Sequence, residues 1–210
     1  MLNKLFGKYD SVEEINFETF PNQFVLKTNN ASGTIIIVKD KSILNINETR
    51  KKLNNWLKVP FTYNNAELHY EKIPPCIISE EYLYDKTQPE LIDYKFFCFN
   101  GIPECIFVVS ERSKKIHSFR ANVYDMKWNR ISKHLIYPIA DDVPKPTSFD
   151  IMVEACMKLG KDIPFVRIDF YEVNGKPYFG EMTFTPGFIF TRKYYEYLGT
   201  KLNLDNYFRL

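Results

Sequence analysis

The run VRIDFYEVNGKPYFGEMTFTPG, residues 166–187, sets Arg167, Asp169, Glu181 and Thr183 among alternating apolar residues. Two carboxylates and a hydroxyl are hard oxygen donors. Mg2+ is typically held by one or two carboxylates together with substrate phosphates. Asp169 and Glu181 have that chemistry, Thr183 adds a neutral oxygen, and Arg167 can counter charge on a transferring phosphoryl group. The plainer alternative is a hairpin whose acids simply pair with arginine.

Geometry separates the two readings. Val166, Ile168 and Phe170 alternate with Arg167, Asp169 and Tyr171, the period of a half-buried strand. Asn174-Gly175 then turns the chain into a second strand. A strict two-residue turn pairs Val173 with Lys176, which sets Glu181 opposite Ile168 and away from Asp169. A three-residue loop sets Glu181 opposite Arg167, diagonal to Asp169 on one face. A metal site therefore requires an odd-length loop or a bulge, because a slip of one residue reverses every side chain.

Two other stretches carry chemistry. In FVLKTNNASGTIIIV a strand delivers Lys27, and the small residues Ser32 and Gly33 follow before the next strand. Such a loop lets backbone N–H groups approach an anion, and lysine adds a compact positive charge. A surface hairpin with a solvated lysine is the competing view. In IISEEYLYD an apolar strand runs into Glu80, Glu81, Tyr82 and Leu83. An acid there can bind ribose hydroxyls while the backbone meets a purine edge in an apolar slot. A strand ending in a charged turn is the ordinary reading.

These residues need a scaffold, and the chain can build one. Its 210 residues are 45% hydrophobic, 26% charged and 16% aromatic, enough for one domain or two small lobes. A net charge of +2, from 28 basic and 26 acidic side chains, argues against a nucleic-acid partner. Lys4 and Lys8 interrupt the opening residues, so neither a signal peptide nor a membrane span is expected. Cys76, Cys98, Cys105 and Cys156 lack CxxC spacing, which favours free thiols in a reducing cytoplasm. His69, His117 and His134 are too scattered for a histidine-based zinc site.

Strands are expected over 23–27 and 34–39, and a helix over 48–58 ends at Pro60. Residues 93–99 and 106–110 form a hairpin through Asn100-Gly101. DDVPKPTSFD, residues 141–150, reads as a lobe linker with a flexible segment near 141–148. Thr147 or Ser148 is placed to cap the helix that follows, and Gly160 to end it. Thr191–Leu198 starts a last, aromatic-rich helix. Hairpins interleaved with a few helices imply an α+β fold.

The order of these pieces resembles the ATP-grasp superfamily. More narrowly, FPNQFVLKTNNASG, IISEEYL, DYKFFCFNG and FVRIDFYEVNGKPYFGEMTF are similar to the TupA-like ATP-grasp family, associated with teichuronopeptide and surface-polysaccharide biosynthesis. The resemblance runs from about Phe6 to the end of the chain. It implies two lobes of antiparallel sheet with helices, 1–78 and 79–210, and a nucleotide cleft between them. It implies ATP and Mg2+ as cofactors, Lys27 with Ser32-Gly33 on the phosphates, and Glu80 to Leu83 on adenine and ribose. Asp93 and Lys95 fall on a strand where such enzymes often place a further nucleotide contact. Asp169 and Glu181 match the magnesium carboxylates, and Arg167 matches the basic residue two before the first. Thr183 stands where many relatives have Asn.

Such enzymes typically phosphorylate a carboxylate and let an amine attack the acyl phosphate. The acceptor is expected to be a small molecule or glycan. Sugar transfer by a glycosyltransferase suits magnesium and phosphates equally. Only 26 residues precede Lys27, whereas the family usually has a further N-terminal region. This raises two further expectations: a partner that supplies that region, or a nucleotide-binding module without turnover.

Overall fold

The computed structural model describes residues 1–31, 33–58, 72–88, 90–113 and 118–205. The chain divides into two units, Asn3–Leu83 and Tyr84–Leu210, with Met1–Leu2 joined to the second.

The first unit is a four-stranded antiparallel sheet. Its strands are β1 (Leu5–Tyr9), β2 (Phe24–Thr28), β3 (Ile35–Val38) and β4 (Ile77–Glu81), in the order β1-β4-β2-β3. Period-two alternation gives the sheet two faces. Phe24, Leu26, Ile77 and Val38 are buried on one face, against Phe17, Phe20 and Leu53 of α1 (Ile46–Lys58). Register places Val25, Lys27, Ile35, Ile37, Ile78 and Glu80 on the other. α1 starts at Ile46, two residues before the expected Glu48, because Asn45 Oδ1 accepts the Glu48 N–H at 3.0 Å. The expected lobe boundary after residue 78 falls inside β4, whose pairing with β1 and β2 keeps residues to Leu83 in the first unit.

The second unit is a five-stranded antiparallel sheet. It contains β5 (Asp93–Phe99), β6 (Ile102–Ser113), β7 (Ser118–Asp125), β8 (Phe165–Val173) and β9 (Lys176–Thr183), ordered β7-β6-β5-β8-β9. One face packs Tyr94, Phe96, Ile106, Val166, Ile168 and Phe170 on α2 (Phe149–Leu159) through Phe149, Met152 and Cys156. On the other face Phe97, Phe99 and Phe107 pack with Ile189, Phe190 and α3 (Arg192–Gly199), which contributes Tyr194 and Leu198. Apolar cover on this second face gives way along β5, β8 and β9 to charged residues. Two antiparallel sheets with few helices make the fold α+β, as the sequence implies.

The run 141–148, expected as a flexible linker between lobes, lies inside the second unit. Asn122 donates to the carbonyls of Ala140 and Asp141, and the Trp128 indole donates to that of Val143. Neither Thr147 nor Ser148 caps α2 through its own side chain. Both donate instead to the Glu172 carboxylate of β8, Ser148 through N–H at 2.7 Å and Oγ at 2.5 Å. A carboxylate at a helix N-terminus also opposes the helix dipole favourably. No helix among the described residues is long and apolar enough to cross a membrane.

Candidate functional site

The hairpin β8–β9 settles the register question posed by its sequence. Asn174 and Gly175 have φ of 51° and 71°, a two-residue turn that pairs Val173 with Lys176, Tyr171 with Tyr178 and Phe170 with Phe179. Continued unbroken, that register would turn Glu181 towards the core. The register shifts instead at Gly180, beyond which Asp169 pairs with Glu181 and Arg167 with Thr183. This is a β-bulge with one extra residue in β9. A Cβ on Gly180 would lie 3.2 Å from the Asp169 carbonyl oxygen, so glycine suits the close approach. Glu181 therefore lies directly opposite Asp169, rather than on the diagonal that a three-residue loop would give.

The side chains form an alternating ladder of charge across four strands. Arg112 of β6 contacts Asp93 Oδ2 at 2.7 Å, and Lys95 reaches Asp93 at 2.8 Å and Asp169 on the other side. Arg167 Nε donates to Asp169 Oδ1 at 2.8 Å, and its Nη2 donates to Asp169 Oδ2 at 2.8 Å. The same Nη2 meets Glu181 Oε1 at 2.8 Å and Thr183 Oγ1 at 2.9 Å, while Thr183 donates to Glu181 at 3.0 Å. Burial grades sharply along this ladder: the Asp169 side chain is 3% exposed, Arg167 13% and Glu181 58%.

Burial by itself would lower the Arg167 pKa, but Asp169, Glu181 and Asp93 outweigh it and hold the guanidinium charged. Asp93 is pushed up by burial and by Asp169, against the pull of Lys95 and Arg112. Among the described residues its Oδ1 is buried without a hydrogen-bond donor.

Asp169, Glu181 and Thr183 thus converge on one point, and a cation, Nη2 of Arg167, sits there. That donor set suits Mg2+, whose remaining ligands are usually phosphate oxygens and water. Among the described residues no group of three or more His, Cys, Asp and Glu forms a metal cage. The donor set is two carboxylates and one hydroxyl.

In the first unit, Lys27 and Glu80 form an ion pair of 2.6 Å. The loop after β2 is fastened at its base: Thr28 and Thr34 bond through their hydroxyls at 2.8 Å, and Asn29 Oδ1 accepts the Cys76 N–H at 2.7 Å. Gly33 has φ of 76°, and among the described residues nothing lies within 4 Å of where its Cβ would stand, while Ser32 lies outside the described residues. The Glu81 backbone is engaged within its own unit. Its N–H donates to the Lys4 carbonyl and its carbonyl accepts from Asn3 Nδ2, because β1 pairs along β4. Tyr82 and Leu83 follow the strand and are half-buried, with Lys39 Nζ lying 5.8 Å from the Tyr82 ring centre. Asp93 and Lys95 do share a strand, but the Asp93 carboxylate is buried, with its Oδ2 already paired to Lys95 and Arg112.

Two contributors escape sequence reasoning. Gly180 carries a legible signal, since an isolated glycine in a strand pattern marks a bulge. Arg112 carries none: it lies beyond the strand expected over 106–110, yet β6 continues to Ser113 and brings it to Asp93.

A family model described as TupA-like ATPgrasp matches residues 4–203. The chain belongs to the TupA-like ATP-grasp family. Comparison with curated proteins gives no match. Among solved structures, D-alanine–D-alanine ligase from Bacillus anthracis complexed with ATP is 18% identical, with a TM-score of 0.48, over 94% of this chain and 56% of that one. The ATP-grasp ligase PsnB, complexed with minimal precursor, Mg and ADP, is 11% identical with a TM-score of 0.47, over 89% and 47%. This chain thus spans about half the length of the solved structures it matches.

Proposed function

We propose that this TupA-like ATP-grasp chain is an ATP- and Mg2+-dependent enzyme that activates a carboxylate by phosphoryl transfer and joins it to an amine. In this reading it acts in surface-polysaccharide biosynthesis, on a small-molecule or glycan acceptor. ATP supplies the transferable phosphoryl group and Mg2+ neutralises its charge. The residues of the chain bind and orient. Lys27 and the Ser32-Gly33 loop are assigned to phosphates, and the Glu80–Leu83 segment to the nucleoside. Asp169 and Glu181 would hold the metal, with Thr183 as a neutral ligand. Lys95 steadies Asp169, and Asp93 steadies Lys95. Arg167 compensates phosphoryl charge, so catalysis comes from positioning and electrostatics rather than a protein nucleophile. Four buried free thiols suit a reducing compartment, and we assign the chain to the cytoplasm.

The observation that carries this reading is the bulge at Gly180, which sets three hard oxygen donors around one cation position. Glu181→Gln tests it. Calorimetric titration with ATP and Mg2+ should show affinity falling more than about tenfold, or about 1.4 kcal/mol, with the circular-dichroism spectrum unchanged. Unaltered ATP affinity would remove Glu181 from the site and the reading with it.

A further inference from the structure

The point shared by the Asp169, Glu181 and Thr183 oxygens is filled by the chain's own Arg167, at 2.8, 2.8 and 2.9 Å. An arginine meant only to tie β8 to β9 has no need to meet all three. Its Nη2 stands where a metal ligated by those oxygens would have to be, and two cations cannot share such a position against their mutual repulsion. The ladder also makes its departure feasible. Lys95 stays on Oδ2 of Asp169 when the guanidinium leaves, so the buried carboxylate keeps one counter-ion. Oδ1, which receives Arg167 Nε, becomes available.

Granting the proposed nucleotide and metal site, we propose that Arg167 is a resident counter-ion of the metal position, which makes metal and nucleotide binding mutually dependent. Without nucleotide, the guanidinium holds the three donors together and competes with a divalent ion for them. Phosphate oxygens offer it a replacement partner, because guanidinium pairs with phosphate as well as with carboxylate. Each ligand therefore strengthens the other, and thermodynamic linkage makes that coupling equal in both directions.

The test is titration of the full chain with Mn2+, followed by electron paramagnetic resonance, with and without ADP and corrected for Mn2+ bound by ADP alone. The wild type should bind Mn2+ at least tenfold more tightly with ADP than without. Arg167→Met should bind Mn2+ without ADP at least tenfold more tightly than the wild type, and should lose most of the ADP enhancement. Arg167→Lys, which keeps a cation, should fall between them.

A wild-type readout guards against misfolding of the variants. The Arg167 Nε–H nitrogen-15 resonance, assigned by its loss in Arg167→Lys, should move when Mg2+ and ADP are both present and stay in place with ADP alone. A resonance that Mg2+ with ADP leaves unmoved overturns the inference. So does a folded Arg167→Met with no gain in Mn2+ affinity, even where Glu181→Gln weakens Mn2+–ADP binding to the wild type. Mn2+–ADP binding that ignores Glu181→Gln instead removes the underlying site assignment.

Discussion

The two units hold their candidate site charges in opposite ways. In the first, Lys27 and Glu80 make a single pair with side chains 34% and 19% exposed. In the second, Lys95 and Asp169 are 14% and 3% exposed and belong to a ladder of three bases and three acids. A single, partly exposed pair contributes less to stability than a buried network, so its lysine can change partners more cheaply. A buried ladder is different, because removing one member strands its neighbours without solvent or counter-ion. The same residue types therefore serve as an adjustable contact in one unit and as part of the core in the other.

The largest expected departure comes from cutting the ladder at its centre. Asp169→Ala leaves Lys95 and Arg167 buried against each other and should cost about 3–5 kcal/mol in urea unfolding. A loss below about 1 kcal/mol would show that the ladder is as loosely held as the first unit's pair. Next comes the bulge. Gly180→Val forces a branched side chain against the Asp169 carbonyl and should cost about 2 kcal/mol. Deleting Gly180 removes the extra residue yet keeps Glu181 opposite Asp169 in a regular register, so it should cost only about 1 kcal/mol. The deletion should also retain Mn2+–ADP binding better than the valine variant does; the reverse order would contradict the register account.

Lys27→Met sharpens the comparison from the other side. Its melting midpoint should correspond to a change of at most about 1 kcal/mol, while ATP affinity measured by calorimetry should drop about tenfold. The smallest effect concerns pH. Asp93 has a raised pKa in the folded chain, chiefly from burial. Its contribution is thus fully present below the unfolded carboxylate value of about 3.9 and is lost as pH rises through the raised one. Stability of the wild type relative to Asp93→Asn, from urea unfolding, should accordingly be greater near pH 4 than near pH 7. A difference that shrinks on acidification would contradict the raised pKa.

Much of this was legible in the sequence because it is written locally. The Asn-Gly turns at 100–101 and 174–175, the alternation in β8 and the stripe of α2 each follow from residues a few positions apart. The need for a slip between Asp169 and Glu181 was legible too, since strand parity alone demands it. Its location is signalled by the isolated Gly180, but its direction is not, because that depends on how β9 lies against the Asp169 carbonyl. Arg112 and the burial of Asp93 were out of reach for a similar reason: their contacts join β5 to a β6 that runs further than its apolar residues suggest. The Glu172 cap of α2 likewise joins residues remote in sequence.

The sheet order gives the two carboxylates unequal freedom. Asp169 rides on β8, bonded on both sides by β5 and β9, so its aim is set by a framework that moves as a whole. Glu181 stands on the outermost strand, beside a kink, with most of its headgroup in water. The pair resembles a vice with one fixed jaw and one travelling jaw: on the proposed reading, a cation held there would be met by adjustment of Glu181 rather than of Asp169.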